Sequence, residues 1–283
     1  MTDTPDLTSQ RPASQRNRPG YPGLVPQARP DDIAFQPGIE LRSPDVPGQP
    51  RFGTEAIADC FADLMTNVLG HARFAAQGGD WGGFITARLG AVHADKLIGA
   101  HVNLLAIPRD ASFVPNPTPE EQRFLDELAQ FAKEETGYQW IQGTRPQTLA
   151  YALTDSPAGL AAWIVEKFQR WSDCDGRIDN AIARDHMLAN ISLYWFTGAI
   201  GASFWPYYAR MHGPWPIPPS GVVAPSGYAA FPHEILRPPR SVAERMYKDL
   251  RRWTVMPHGG HFAAMEHPAE LAHEIVEFFR PLR

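Results

Sequence analysis

Three side chains in glycine- or proline-containing segments have the types that nucleophilic catalysis uses, in the chain order nucleophile, acid, histidine. Asp80 lies within Gly-Gly-Asp-Trp-Gly-Gly, Glu234 follows Phe-Pro-His, and His261 follows His-Gly-Gly. A carboxylate on a tight bend between a strand and a helix can attack an electrophilic carbon, because the helix N-terminus favours the anion. A histidine that an acid orients can then activate water. The alternative is that Asp80 only caps a helix, and the glycine spacing alone does not decide between the two.

The strands that we predict place the acid and the histidine at one edge of a sheet. Strands are predicted at 221–224 and 252–256, and Glu234 and His261 follow them in loops. Open α/β sheets build their sites at the carboxyl ends of parallel strands. Asp110, which follows the preceding strand, is a competing acid. Either loop side chain can instead be an ordinary solvated or backbone-paired group.

Neither a metal centre nor an organic cofactor is predicted. His258 and His267 lie near His261, but glycines and a predicted loop replace the helical spacing of zinc-binding H-E-x-x-H segments. The two cysteines, Cys60 and Cys174, are too few for a disulfide framework or a metal cluster.

The composition excludes several classes of partner. The 283-residue chain has a formal charge of −5 and no run of Lys or Arg, which argues against nucleic-acid binding. The apolar stretch 97–107 contains His101 and Asn103 and is too short to span a bilayer. Because the first thirty residues are polar and lack the apolar segment of a secretory signal, we predict a cytoplasmic protein without a membrane partner. The sequence does not indicate an oligomeric state.

The chain divides into four predicted parts. Residues 1–50 hold ten of the 28 prolines and show neither helical nor strand periodicity, which predicts a disordered or irregular segment. Residues 51–108 and 216–283 alternate helix and strand signals, as in an α/β core with a mostly parallel sheet. Residues 109–215 have mainly helical patterns. We therefore predict a helical cap inserted into an α/β core.

Local patterns predict the individual elements of these parts. An apolar stripe predicts a helix that Thr54 caps and Gly70 ends. Thr118 and Glu121 form a predicted capping box, and a further helix begins at Ser156. The remaining predictions are strands at 73–77 and 97–105 and helices at 84–89, around 182–194, 242–250 and 268–279.

Six segments in combination carry a resemblance to a known family. The first two are Gln77-Gly-Gly-Asp-Trp-Gly82 and Gly259-Gly-His-Phe-Ala-Ala-Met-Glu266. The others are Gly137-Tyr-Gln-Trp-Ile-Gln142, Asp155-Ser-Pro-Ala-Gly-Leu-Ala-Ala162, Tyr194-Trp-Phe-Thr-Gly198 and Gly227-Tyr-Ala-Ala-Phe-Pro232. From about residue 54 to the end, the chain resembles the microsomal-type epoxide hydrolases, which have an α/β-hydrolase fold with a helical cap. Asp-Trp-Gly alone also occurs in haloalkane dehalogenases.

The resemblance implies a role for each candidate residue. Asp80 would attack an epoxide carbon to form an ester, while Tyr138 and Tyr207 of the cap would bind the epoxide oxygen and supply its proton. A phenol, with an ordinary pKa of about 10, is protonated at neutral pH and can still give up a proton to an alkoxide. His261, oriented by Glu234, would then activate water against the ester. The implied reaction converts a small apolar epoxide and water into a vicinal diol without a cofactor.

Further positions follow from the same resemblance. The backbone N–H of Trp81 would be one oxyanion donor, because the residue after the nucleophile contributes in this fold. Tyr208 and Tyr151 are rivals for the tyrosine roles, and any of these tyrosines can instead be a core residue.

The sequence departs from the family pattern before Asp80. No His-Gly pair precedes it, so the H-G-x-P turn that supplies the second oxyanion donor is absent. The loss of one such donor typically lowers the rate by about 10²–10³-fold. Most of the N-terminal half of the sheet is also expected to be missing, which predicts an incomplete α/β-hydrolase fold whose nucleophile strand has an exposed edge.

Two alternatives remain at this point. Trp81 can bind a halide, which would suit a haloalkane dehalogenase-like hydrolase, although the cap tyrosines and the Gly-Gly before Asp80 count against it. The missing turn favours an inactive homologue that acts at most as a binding module.

Overall fold

The computed structural model of the chain describes residues 53–283 and the backbone of a short strand at 33–35. The strands are β1 (Ile33–Phe35), β2 (Phe74–Gly78), β3 (Leu97–Val102), β4 (Ser226–Ala230) and β5 (Leu250–Val255). The first helices are α1 (Thr54–Asp63), α2 (Asp80–Val92), α3 (Pro119–Glu134), α4 (Gly137–Thr144), α5 (Pro146–Asp155) and α6 (Pro157–Trp171). The later ones are α7 (Arg184–Thr197), α8 (Trp205–His212), α9 (Arg240–Met246), α10 (Ala263–Glu266) and α11 (Pro268–Phe279).

The described strands form one parallel sheet in the order β1-β2-β3-β4-β5. Each strand therefore lies beside its neighbour in the chain, and the connections cross over the faces of the sheet. The predicted α/β class with a parallel sheet is confirmed. All strands point the same way, so the loops that follow β2, β4 and β5 meet at one edge.

Helices cover both faces of the sheet and bury its side chains. On one face, Phe74 and Ala76 of β2 and Ala100 of β3 pack against α1 and α2. On the other face, Ala75 and Ala229 pack against α11. Successive residues of a strand point to opposite faces, which explains why Ala75 and Ala76 join different clusters.

The helices α3 to α8 connect β3 to β4 and have their own buried clusters. Thr118 and Glu121 form the predicted capping box, and Ser156 accepts a hydrogen bond from the N–H of Gly159. Leu160 and Phe204 are buried between α5, α6 and the turn before α8. These local predictions are confirmed, whereas the exact limits of a cap domain stay a prediction.

The predicted strand at 221–224 is wrong. The strand that pairs with β3 and β5 is β4, at Ser226–Ala230, and Val222 makes only an isolated bridge to Tyr247. The apolar residues at 222–224 predict a strand, but the segment that enters the sheet, β4, consists mainly of small residues. A Cβ at Gly227 would lie 2.6 Å from the Phe278 ring, so a larger residue there would push α11 away from the sheet.

The predicted cap at Thr54 is also wrong by one residue. Gly53 is the N-cap and contributes no side chain, and the Thr54 hydroxyl instead donates to Glu55 at 3.2 Å. Gly70 has φ +77° beyond the end of the helical region, in keeping with its predicted role. Between them, α1 continues into one π-helical turn at Leu64–Val68.

We predict from the sequence that β2, the strand before Asp80, has an exposed edge. This prediction is wrong at the residues of β2 that pair with β1. Residues Ile33–Phe35 pair in parallel with 75–77 of β2, because the proline-rich segment contains one short extended stretch. The remaining residues of the predicted irregular segment 1–50 lie outside the described part of the chain.

No helix within residues 53–283 combines the length and the apolar character that a membrane-spanning segment needs.

Candidate active site

A strained bend presents Asp80 between β2 and α2. Asp80 has φ +45°, a left-handed conformation that costs a non-glycine residue free energy. The bend is tight on both sides: a Cβ at Gly78 would lie 2.2 Å from the Gly82 carbonyl oxygen, and one at Gly79 would lie 2.5 Å from the Asn103 amide nitrogen. The predicted strained bend is therefore confirmed, although α2 begins at Asp80 itself and not at residue 84.

A buried acid orients His261. Its Nδ1 lies 2.6 Å from Oε1 of Glu234, and both side chains are almost fully buried. The same oxygen accepts the backbone N–H of Ile235 at 2.7 Å. A histidine whose Nδ1 is paired in this way presents Nε2 to its other neighbour.

That other neighbour is Asp80. His261 Nε2 lies 3.8 Å from Oδ2 of Asp80, and the Asp80 side chain is half exposed while His261 is enclosed. The distance is within ion-pair range and beyond a direct hydrogen bond. The structure thus brings together the predicted nucleophile, histidine and acid.

Two carboxylates raise the pKa of His261. Burial alone would lower the pKa, but the charge of Glu234 and then the contacts with Asp80 outweigh it and raise the pKa to about 10. The imidazole is therefore protonated while both acids are charged. Neutralising Asp80 would remove part of this stabilisation and lower the pKa again.

The histidine loop is fixed by a second acid. Glu266 accepts the backbone N–H groups of Gly260 at 3.0 Å, Phe262 at 3.0 Å and Asp173 at 2.8 Å. The backbone N–H of His261 donates to the Trp171 carbonyl at 2.9 Å. Because Trp171 ends α6 and Asp173 lies between α6 and α7, these bonds tie the histidine loop to the helical region between β3 and β4.

Two tyrosines from α4 and α8 face each other near Asp80. The rings of Tyr138 and Tyr207 are 5.7 Å apart, and Tyr207 lies edge-on to Trp81 at 4.8 Å. The Tyr138 hydroxyl accepts a hydrogen bond from Gln139 Nε2 at 2.8 Å. Burial, together with the charge of Asp80, raises the pKa of Tyr138. Its hydroxyl therefore keeps its proton at neutral pH.

A cavity of about 310 Å³ lies between the tyrosines and the bend. Its wall is mainly aromatic, and its polar lining residues are Asp80, Arg109, Gln139 and Arg210. A second cavity of about 320 Å³ contains His261 in its lining. Asp80 and Trp81 line both cavities, so the carboxylate is accessible from both sides.

The rival residues lie elsewhere. Tyr151 is 71% exposed, and Tyr208 stacks on His212 with ring centroids 4.0 Å apart. Asp110 accepts the N–H of Ser112 at 2.8 Å and caps a short turn. Glu234 is thus the acid that contacts His261.

Comparisons with known proteins agree with this architecture. No family model matches the chain. A putative epoxide hydrolase of Stigmatella aurantiaca is 42% identical over 241 residues, which cover 84% of this chain and 54% of that protein. Epoxide hydrolase 1 of Sus scrofa is 33% identical over 85% of this chain and 60% of its own length. The crystal structure of the juvenile hormone epoxide hydrolase from Bombyx mori superposes with a TM-score of 0.73, at 28% identity over 83% of this chain and 61% of that one.

The chain is a homologue of the epoxide hydrolases. Its sheet and helices have the α/β-hydrolase fold of these proteins. The chain spans between half and two thirds of the length of the curated epoxide hydrolases that it matches.

Within residues 53–283, one group of potential metal ligands occurs near the site of this epoxide hydrolase homologue. Ligand atoms of His258, His267 and Glu270 lie within 4.8 Å of one another at the surface. His261 does not belong to this group, because its ring contacts Glu234 instead.

Sequence reasoning missed several residues of the site. Arg109 and Arg210 line the cavity with Asp80, but they are 101 positions apart and carry no motif. Glu266 lies in the segment 259–266 that carries the family resemblance, yet its role depends on backbone groups that only the fold brings near. For Gln139, adjacency to Tyr138 was the available signal.

Proposed function

We propose that the chain hydrolyses an epoxide to a vicinal diol through an ester on Asp80. The observation that carries the proposal is the position of the Asp80 carboxylate, 3.8 Å from His261 Nε2 and on the wall of the cavity that Tyr138 and Tyr207 line. An ester mechanism needs this arrangement. A proton donor for the epoxide oxygen lies on one side of the nucleophile, and a base that activates water lies on the other.

In the first step, a carboxylate oxygen of Asp80 attacks one carbon of the epoxide. The carbon–oxygen bond of the ring breaks, and its electron pair stays on the oxygen. The hydroxyl of Tyr138 or Tyr207 gives its proton to this oxygen, which leaves a tyrosinate. The mainly aromatic cavity suits a substrate with an apolar body.

In the second step, His261 removes a proton from water, and the hydroxide adds to the carbonyl carbon of the Asp80 ester. The backbone N–H of Trp81, in the first turn of α2, would donate a hydrogen bond to the oxyanion. Collapse then breaks the bond between the carbonyl carbon and the alkyl oxygen, and this oxygen takes the proton from His261 to complete the diol. The second proton of the water leaves the Asp80 carboxyl and returns to the tyrosinate, which regenerates the carboxylate and the phenol.

Esterification prepares His261 for this role. The ester carries no charge, so the Asp80 contribution to the raised pKa of His261 disappears when the ester forms. The imidazole can then lose its proton and act as a base. Glu234 stays charged, holds the ring by Nδ1 and stabilises the imidazolium that the reaction forms.

The helices between β3 and β4 have the position of a cap in this scheme. They contribute Tyr138 from α4 and Tyr207 from α8, whereas Asp80, Glu234 and His261 come from the sheet edge. We propose the division into a first core part at 51–108, the cap at 109–215 and a second core part at 216–283.

One observation favours a second candidate, a haloalkane dehalogenase-like activity. The indole nitrogen of Trp81 is buried without a hydrogen-bond partner among the described residues, and an indole N–H can bind a halide. A departing halide needs no proton, however, so this reaction gives the paired tyrosines no function. Turnover of 1-chlorohexane without turnover of styrene oxide would establish this alternative.

Styrene oxide in ¹⁸O-labelled water tests the proposed mechanism. In a single turnover, the diol takes its second oxygen from Asp80, so the label is expected in the enzyme and not in the diol. Asp80→Ala is expected to form no diol, and Asp110→Ala to react like the wild type. Label in the diol during the first turnover would disprove the ester, and a folded protein that forms neither ester nor diol would favour the inactive homologue.

A further inference from the structure

Two arginines lie on the wall of the cavity that contains the proposed nucleophile. Arg109 follows β3 and Arg210 lies in α8, three residues after Tyr207. Both side chains are half-buried. The cavity therefore has an aromatic wall, a carboxylate and two permanent positive charges.

Aromatic rings hold both guanidinium groups in place. The Arg210 guanidinium lies 4.6 Å from the centre of the Trp215 ring, and that of Arg109 lies 5.7 Å from the centre of Phe131. A guanidinium that stacks on a ring keeps the N–H donors at its edge available for another group. Within residues 53–283, no carboxylate forms an ion pair with either arginine.

The two charges disfavour each other. Burial and the nearby charge of Arg109 lower the pKa of Arg210, and Glu55 opposes this shift from a distance greater than an ion pair. Asp80 lies on the wall of the same cavity.

We propose that the substrate is an epoxide whose apolar body ends in a carboxylate, and that Arg109 and Arg210 bind this carboxylate. The proposal rests on the proposed function. The aromatic wall takes the apolar body, Asp80 and the tyrosines take the epoxide, and the guanidinium edges take the anion in paired hydrogen bonds. The proposal narrows the expected apolar epoxides to those with one charged end.

Terminal epoxyalkanoates of increasing chain length, each compared with its methyl ester, test the preference. At the chain length that spans the cavity, kcat/KM is expected to be at least about tenfold higher for the acid than for the ester. Arg210→Met and Arg109→Met keep the apolar stem but lose the charge. Each is expected to lower kcat/KM for the acid by about tenfold and to leave the ester within about twofold, and Arg210→Lys should retain part of the preference.

Equilibrium binding provides a readout that does not need turnover. Decanoate and decanol are titrated calorimetrically into the wild type, into Arg109→Met with Arg210→Met, and into Arg280→Met, an exposed arginine paired with Glu277. Among the three proteins, only the double variant is expected to bind decanoate more weakly, by at least about tenfold. Added salt should also weaken the binding of decanoate to the wild type, whereas decanol binding should not change in either comparison.

The outcomes separate the two proposals. Charge-dependent binding of decanoate without turnover of any epoxide would overturn the proposed function and retain the anion site. Turnover of neutral epoxides, with acids and esters equal in every variant, would overturn the anion site and retain the function. Equal losses for acid and ester in the arginine variants would show that the arginines do not act on a substrate carboxylate, and would overturn the anion site.

Discussion

The imidazole of His261 contacts Glu234 through Nδ1 at 2.6 Å, in a pocket where both side chains are almost fully buried. The pairing leaves Nε2 directed to Asp80, 3.8 Å away. One carboxylate, that of Glu234, thus orients the imidazole. The ring faces a second carboxylate, that of Asp80, which esterification would neutralise. This relationship makes the two proposed half-reactions separable by substitution.

His261→Gln is expected to stop the reaction after the first step. Asp80 can still form the ester, but no base activates water, so ester hydrolysis should fall by about 10²–10⁴-fold. Intact-protein mass spectrometry after mixing with styrene oxide should show one stable adduct on this variant. The adduct should be absent in the variant that also carries Asp80→Ala. Lost turnover without an adduct would contradict the assignment of His261 to the second step.

The paired tyrosines predict a graded loss of activity. Tyr138→Phe and Tyr207→Phe each leave one hydroxyl, so each should lower kcat/KM for styrene oxide by about tenfold, and the double variant by at least about 10²-fold. Steady-state kinetics measure this effect. Tyr151→Phe, at a 71% exposed position, is the matched control and should be unchanged. A fully active double variant would assign proton donation to another group.

Glu266 is expected to control the position of His261 through the backbone. In Glu266→Ala, three backbone N–H groups lose a charged acceptor, which should cost about 2–4 kcal/mol of unfolding free energy and lower kcat. Chemical unfolding and styrene oxide kinetics measure the two effects. Glu244→Ala removes an exposed pair with Arg240 and should cost less than about 1 kcal/mol. Equal effects of the two substitutions would mean that Glu266 does not fix the loop.

The meeting of Asp80, Glu234 and His261 at one edge of the sheet could be predicted, because each residue follows a strand of a parallel sheet. That prediction depends only on strand direction. The structure therefore confirms it, although the strand before Glu234 lies at Ser226–Ala230 and not at 221–224. The small residues of β4 have weak strand preference, yet they pair with both β3 and β5, and Gly227 leaves the space that the Phe278 ring occupies. Such a fit comes from packing and has no local signal.

The arginines and Glu266 show the same limit for the site. Arg109 and Arg210 meet in one cavity only because α8 lies over the loop after β3, and no sequence spacing encodes that contact. The tyrosines were assigned through a resemblance, whereas Asp80 had a physical signal of its own. Glycines around an acidic residue predict a strained bend, and the structure contains one.

The burial of His101 predicts that the folded protein loses stability at acidic pH. The ring is fully buried in β3, and neither nitrogen has a hydrogen-bond partner among the described residues. Burial lowers the pKa of His101 to about 4, with Glu274 opposing and Arg252 adding to the shift. In the unfolded chain, the pKa returns to about 6.5. The unfolded state therefore takes up a proton first as the pH falls, so stability is complete above about pH 6.5 and falls by about 3 kcal/mol towards pH 4.

His101→Leu removes this titration, and its unfolding free energy should change less than that of the wild type between pH 7 and pH 4. Urea unfolding at a series of pH values measures the difference, and His101→Asn serves if the leucine variant packs poorly. His186→Leu, at an exposed position of α7, should keep the acid sensitivity of the wild type. Equal slopes for His101→Leu, His101→Asn and the wild type would show that His101 binds a proton as readily in the folded protein as in the unfolded chain, which would contradict the effect of its burial.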